Sequence, residues 1–374
     1  MPSVNASRLD RWLGRENTEH VSGLMADWYG PPIALHGVPG AVYATKGGDF
    51  VGDLRAGWEA TAFDRARDVL RRMERAVRVA SNPRRARLHA GFASLSDLIA
   101  EATVGGKRQE LLFNKVGTTG VVSVTNSLWR VGNHPPAGAA SSAAPGGIAP
   151  TDATTGAIPF QNPGTGGDTT HVTTGFSLAT VAANTLLLYD RIFGVAKTMN
   201  STATEAVTGL PSRYQSTTGG AVDSAEGNFL FIEVGTALAA TAHNWTVCQY
   251  TDQGGTTAVT LPSVTGNASA IINRLDMPAG SWFCPLAAGD TGIKALTQMQ
   301  CSAAVATGAI DFVIGHPIAW MPCPVANMVC VMDGINSAFN LARIFDDAAL
   351  ALLEVCKPAT TATTYNGAVT LVAG

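Results

Sequence analysis

The stretch Ile293-Lys294-Ala295-Leu296-Thr297-Gln298-Met299-Gln300-Cys301 decides the fold class. Ile293, Ala295, Thr297, Met299 and Cys301 fall on one side of an extended chain; Lys294, Gln298 and Gln300 fall on the other, with Leu296 as the exception. A period of two with one polar face marks an antiparallel strand buried on one side. The same period recurs where Phe229, Phe231 and Glu233 alternate with Leu230, Ile232 and Val234, and at 243–250, where Trp245 and Val247 alternate with Thr246 and Cys248. Runs at 185–199, 309–320 and 327–332 read as buried strands, and Ala368 to Val372 as a closing one. Residues 341–356 fit a strand pair broken at Asp346-Asp347, or a helix. Turn formers punctuate the series at Asp252-Gln253-Gly254-Gly255, Pro278-Ala279-Gly280, Asp333-Gly334 and Asn366-Gly367. The pattern predicts a mainly β protein whose part 169–374 is an antiparallel β-sandwich of jelly-roll type.

Upstream the period changes. Ala66, Val69, Leu70, Met73, Ala76, Val77 and Ala80 recur at steps of three and four, predicting a helix over 60–80 that Asn82-Pro83 ends. An amphipathic stretch at 7–27 stops at Gly30-Pro31-Pro32, and a further helix is expected at about 92–103. Residues 1–131 therefore read as a helix-rich, basic docking region, with 116–131 extended. Nine arginines fall between 65 and 87. They suit phosphate, a solvated face paired with Asp64, Asp68 and Glu74, or an acidic neighbouring subunit. No aromatic interleaving or nucleic-acid module accompanies them, so a protein surface is favoured over nucleic acid as main ligand. Arg71, Arg72, Arg75, Arg78, Arg84, Arg85 and Arg87 are the candidate subunit contacts.

The chain has 374 residues, 46% hydrophobic and 14% charged, against about 25% charged in ordinary domains. Residues 1–120 hold 17 Lys+Arg and 13 Asp+Glu, whereas 121–374 hold 8 and 15. That is few charges for the surface of a free monomer. Either the surface is rich in Thr, Ser, Asn and Gly, or neighbouring subunits cover it; a neutral secreted β-domain is the plainer alternative. The composition excludes wholesale disorder. Apolar runs fall far short of the ~18–20 residues of a spanning helix, so no membrane association is expected. Met1 to Arg15 has no apolar core of a signal peptide. The six cysteines, from Cys248 to Cys356, then read as reduced, buried thiols.

Residues 132–168 carry six prolines among Gly, Ala, Ser and Thr, with Asp152 and Asp168 their only charges. Such a stretch is a linker, or an arm ordered by lying on another surface; its lack of charge favours the arm. Deleting it is expected to leave the β-domain folded.

No catalytic constellation emerges. There is no H-E-x-x-H and no G-x-S-x-G. Gly105-Gly106-Lys107-Arg108 lacks the first glycine and the Ser/Thr of a phosphate loop. Asp346-Asp347 and Asp252 read as turn formers, Asp223 with Glu226 brings too few oxygens for calcium, and no cysteine has a zinc-like partner spacing. No enzyme, cofactor or metal is expected. Trp129, beside the charge-free arm, is the aromatic candidate for a subunit contact.

Asn126-Ser127-Leu128-Trp129-Arg130-Val131-Gly132, Leu186-Leu187-Leu188-Tyr189-Asp190-Arg191-Ile192-Phe193 and Cys248-Gln249-Tyr250-Thr251-Asp252-Gln253-Gly254-Gly255 resemble stretches of uncharacterised virion structural proteins of tailed bacteriophages. The Thr/Ala/Gly-rich style of 116–374 is similar too. The resemblance implies a capsid component made in the host cytoplasm, of cement or decoration type, that trimerises or packs on the shell beside other virion proteins. The alternatives are the major capsid protein, with helix 60–80 as its spine, a tail or baseplate protein, and a carbohydrate-binding receptor-recognition protein. The last requires clustered exposed aromatics.

Overall fold

The computed structural model describes residues 92, 94–104, 107–163, 168–334 and 341–374. The helices expected at 7–27 and 60–80, and the arginines from Arg71 to Arg87, lie outside the described residues. One helix is described, α1 (Leu95–Ala102). Ser94 starts it: its backbone is extended and its side chain accepts the Asp97 N–H at 3.2 Å, which satisfies one of the free donors of the first turn.

The rest is mostly antiparallel β-structure. A central five-stranded sheet runs in the order β2 (Asn126–Ser127), β16 (Leu350–Glu354), β5 (Asn184–Thr198), β13 (Ala309–Cys323), β7 (Phe229–Thr236). A second sheet runs β14 (Cys330–Asp333), β4 (Thr170–Ala179), β17 (Thr364–Ala373), β1 (Arg108–Val116), β3 (Asn133–His134), with β15 (Arg343–Ile344) also on β4. The third is β10 (Val259–Thr260), β9 (Gln249–Asp252), β12 (Ile293–Met299), β6 (Glu205–Ala206), and β8 (Asn244–Trp245) pairs with β11 (Val264–Thr265) in a short ribbon.

The central sheet is buried on both faces, which is why its strands read as continuous apolar runs. Leu186 and Leu188 of β5 enter one core with Leu350 and Leu352 of β16 and with Phe113 and Leu371 of the second sheet. Leu187 and Tyr189 enter the other, with Ala351, Leu353, Tyr250 of β9 and Leu296 of β12. Both faces of the sheet are thus out of water, an arrangement more usual for parallel sheets. In β13, Ile310, Phe312 and Ile314 feed the second of these cores, while Ile318, Ala319 and Met321 feed the first. The change follows register shifts against β5 at Ile314/Gly315 and Pro317/Ala319, where a proline is tolerated because the ladder is already broken.

Strand β12 carries the same lesson. Ile293, Ala295 and Met299 are buried as their spacing predicts, but so is Leu296, while Thr297 is half-exposed. The β12–β9 pairing shifts register at Ile293/Ala295 and again at Leu296/Gln298, and each extra residue turns the following side chain over. Asn366-Gly367, expected as a turn, lies inside β17. Gly367 sits between the Phe113 ring and the Phe176 carbonyl, where a Cβ has no room. Residues 341–356 form the strand pair β15 and β16, with Asp347 at φ +60° in the break.

Residues 88–374 group as one compact unit. The physical reason is pairing: β1 is hydrogen-bonded between β17 and β3. The proline-rich stretch also lies on its own chain. Ala144 and Ile148 donate backbone N–H groups to Ala196 and Gly194 of β5 at 3.2 and 2.8 Å, and Ile158 donates to Leu350 of β16 at 2.8 Å.

Candidate assembly surface

The eight Lys and Arg after residue 120 are all buried or half-buried. Among the described residues of that region, the exposed members of the Asp, Glu, Lys and Arg set are carboxylates alone: Asp223, Glu226, Asp333, Asp346 and Asp347. The scarce charge of 121–374 is concentrated inside. Burying an ion costs several kcal/mol unless partners surround it, and the clustered groups have them, whereas the half-buried Arg274 leaves its Nε unpartnered.

The largest cluster joins Arg130, Arg191, Glu233 and Asp311. Arg191 Nη1 lies 2.7 Å from Glu233 Oε2 and Arg130 Nε 3.2 Å from Oε1. Arg130 also pairs with Asp311, which accepts the Ser141 backbone N–H at 3.2 Å. The Arg191 guanidinium lies 4.8 Å over the Trp129 ring. Burial pulls the Arg191 pKa down, but Glu233, Tyr189 and Asp311 outweigh it and leave it raised. Next to it, Arg213 grips Asp190 with two bonds of 2.8 and 2.7 Å and donates to the Pro150 carbonyl at 3.0 Å. Burial still holds the Asp190 pKa above its ordinary value, against the pull of Arg213. Lys357 Nζ lies 2.8 Å from Glu354, which also takes Asn126 Nδ2 at 2.9 Å. Lys115 faces only the Val131 and Pro135 carbonyls, each at 2.7 Å, and burial lowers its pKa to about 8.

Three of these groups reach the arm: Asp311 through Ser141, Arg213 through Pro150, Lys115 through Pro135. The arm needs no charges of its own because its backbone supplies the dipoles that buried ions on the strands require. Trp129 belongs to the same joint. It is 3% exposed, Nε1 donates to the Ala139 carbonyl at 3.0 Å, and Gly138 packs directly on the ring. Its contacts are therefore with its own arm. The arm is thereby bonded to the folded body, and deleting it would strip partners from buried ions, so the β-domain is expected to lose stability without it. The sequence sign of this joint was the Asp190-Arg191 pair inside an otherwise apolar run.

The outer face of the second sheet is the opposite in character. Register places Leu112 of β1, Ala368 of β17, Phe176 of β4 and Val331 of β14 side by side across four strands. Leu112 is 59% exposed, Phe176 42% and Val331 68%. Met328 and Val329, in the segment leading into β14, and Val325 before them are exposed as well. The run 327–332, expected to be buried, is thus partly an open edge. Strand β14 ends its sheet and carries none of the lysines or prolines that usually protect such an edge. The patch is on the order of 500 Å², the size of the largest apolar patches that monomers display. It is bordered by Asn114 and Asn366 on one side and by Glu110, Thr370 and Thr174 on the other.

The remaining candidates are placed as follows. Asp252 Oδ1 accepts the Thr256 N–H at 2.8 Å in its turn. Asp347 and Asn162 exchange bonds of 2.7 and 3.0 Å, tying the turn to the arm. All six cysteines are free thiols. Among the described residues no group of three or more His, Cys, Asp or Glu could hold a metal ion. His316, stacked on Tyr214 at 3.9 Å, is held neutral by burial at a pKa of about 4.

No family model and no curated protein matches the chain. Among solved structures it is similar to the structure of infectious bursal disease virus Gt strain at 9% identity, over 71% of this chain and 81% of that one, with a TM-score of 0.13. A score that low carries no argument about fold or role.

Proposed function

We propose that the chain is a non-enzymatic structural protein of a bacteriophage virion, a capsid cement, decoration or minor capsid protein that stabilises the shell by contacts with its own copies and with other shell proteins. The observation that supports this most is the allocation of charge. Among the described residues after 120 the cations are kept inside, Arg191 and Arg213 among them bonded to the arm, while the exposed charged groups are carboxylates and the second sheet carries an open apolar strand edge. A free monomer gains solubility from charges of both signs spread over a patch-free surface. Arg71, Arg72, Arg75, Arg78, Arg84, Arg85 and Arg87 supply the complementary charge, and on this reading they dock on the acidic exterior of a neighbour. The jelly-roll type of sandwich belongs to the same proposal. In its favour, the chain passes between the central and second sheets at β1 to β2, β4 to β5, β13 to β14 and β16 to β17. Mass spectrometry and electron microscopy of purified particles test the role. The chain is expected at stoichiometric copy number on the shell; its absence from particles, with a monomer persisting at high concentration, would refute it.

A further inference from the structure

The segment before β12 and the start of β7 enclose a cleft of about 240 Å³, whose lining includes Phe229, Trp282, Phe283, Asp290 and Thr291. Trp282 is its hub. Ring centroids lie at 5.0 Å from Phe229, 4.6 Å from Phe283 and 5.2 Å from Trp320, all edge to face. Phe283 is 42% exposed and Trp282 half-buried, so part of this aromatic surface meets solvent.

The polar rim is fixed by bonds within the chain. The Tyr250 hydroxyl donates to Asp290 Oδ2 and accepts the Ala287 N–H at 2.9 Å. Gln253 Oε1 accepts the Thr291 and Gly292 N–H groups at 3.1 and 3.2 Å. Beneath, Asn228 bonds the Ile293 carbonyl at 3.0 Å and His316 at 2.8 Å. A cleft held this way is formed before any ligand arrives, which lowers the ordering cost of binding. Asp290 Oδ1 and the Thr291 hydroxyl are left to meet a ligand.

The chemistry of the lining selects the ligand class. No Lys or Arg lines the cleft, so an anion finds no partner. A compact cation needs several ring faces turned to one point, whereas these rings meet Trp282 at 62–89° and pack on one another. Aromatic surface with a carboxylate and a hydroxyl at its edge fits a flat molecule that is apolar on its face and a hydrogen-bond donor around its rim. We propose that this cleft binds one pyranose unit of a neutral carbohydrate, its C–H face on the exposed Phe283 ring that Trp282 buttresses edge to face, and its hydroxyls on Asp290 and Thr291. This does not rest on the virion assignment.

The test uses the full chain on a glycan array, followed by calorimetric titration with the neutral mono- and oligosaccharides that bind, and with tetramethylammonium as a cation probe. Millimolar or tighter binding of neutral sugars is expected, weakened about tenfold or more by Phe283→Ala and by Asp290→Asn. Both positions are at the rim, so circular dichroism is expected to stay unchanged. No binding of any neutral sugar, binding that both substitutions leave intact, or a preference for tetramethylammonium would each overturn the proposal.

Discussion

Glu233→Gln tests whether the buried ions hold the body together. Glu233 is fully buried and lies between two guanidiniums, Arg191 at 2.7 Å and Arg130 at 3.2 Å. Glutamine keeps the shape and removes the charge. The four-residue cluster then changes from neutral to one net positive charge, with Asp311 alone facing both arginines. Removing one partner of a buried pair costs about 3–5 kcal/mol, because the other charge stays out of water uncompensated. At about 2.1 cal/mol/K of unfolding entropy per residue, the unit 88–374 loses roughly 7 °C of Tm for about 4 kcal/mol. Differential scanning calorimetry reads the shift, and urea titration reads the free energy. Adding Arg191→Met to Glu233→Gln restores neutrality and should recover part of the loss. A cost below about 1 kcal/mol for Glu233→Gln would refute the reasoning, since the cluster would then be hydrated or redundant.

Lys115 gives a pH signature. Its folded pKa, about 8, lies below the ordinary 10.5, so between these values the unfolded chain binds more protons and stability from this group rises with pH. Relative to Lys115→Met, the wild-type chain should gain up to about 3 kcal/mol from pH 8 to 10.5 in urea titrations; parallel curves would contradict the assignment. Trp129→Ala should cost about 3–5 kcal/mol and open residues 138–156 to limited proteolysis at neutral pH, with an uncut arm as the contrary result. Val331→Lys changes a side chain 68% exposed, so folding should shift by less than about 0.5 kcal/mol. Sedimentation should show weakened self-association, and unchanged oligomers would remove the β14 edge from the proposed contact.

The strand content was legible because burial leaves a period in the chain. Ile293–Met299 and Phe229–Thr236 were found from apolar spacing, Thr364–Ala373 in its part 368–372, and α1 within the helix expected at about 92–103. The places where reading failed are local. Register shifts in β12 reversed Leu296 and Thr297, and a close contact rather than a turn explains Gly367. Neither event alters composition or spacing nearby, so neither has a sequence signal. The candidate surfaces were less legible still. Leu112, Phe176 and Val331 are far apart in the chain and adjoin only through strand register. Trp282 and Asp290 meet Phe229 in the same way.

Taken alone, the sequence determined that the chain from residue 169 onward is β-rich, short of charge and preceded by a proline-rich stretch, because periodicity and composition are properties of neighbours along the backbone. Only the tertiary structure decided where the few charges reside. A carboxylate 42 residues from its arginine, as Glu233 is from Arg191, becomes a partner through sheet pairing, and the electrostatic cost of burial then dictates that the arm close over both.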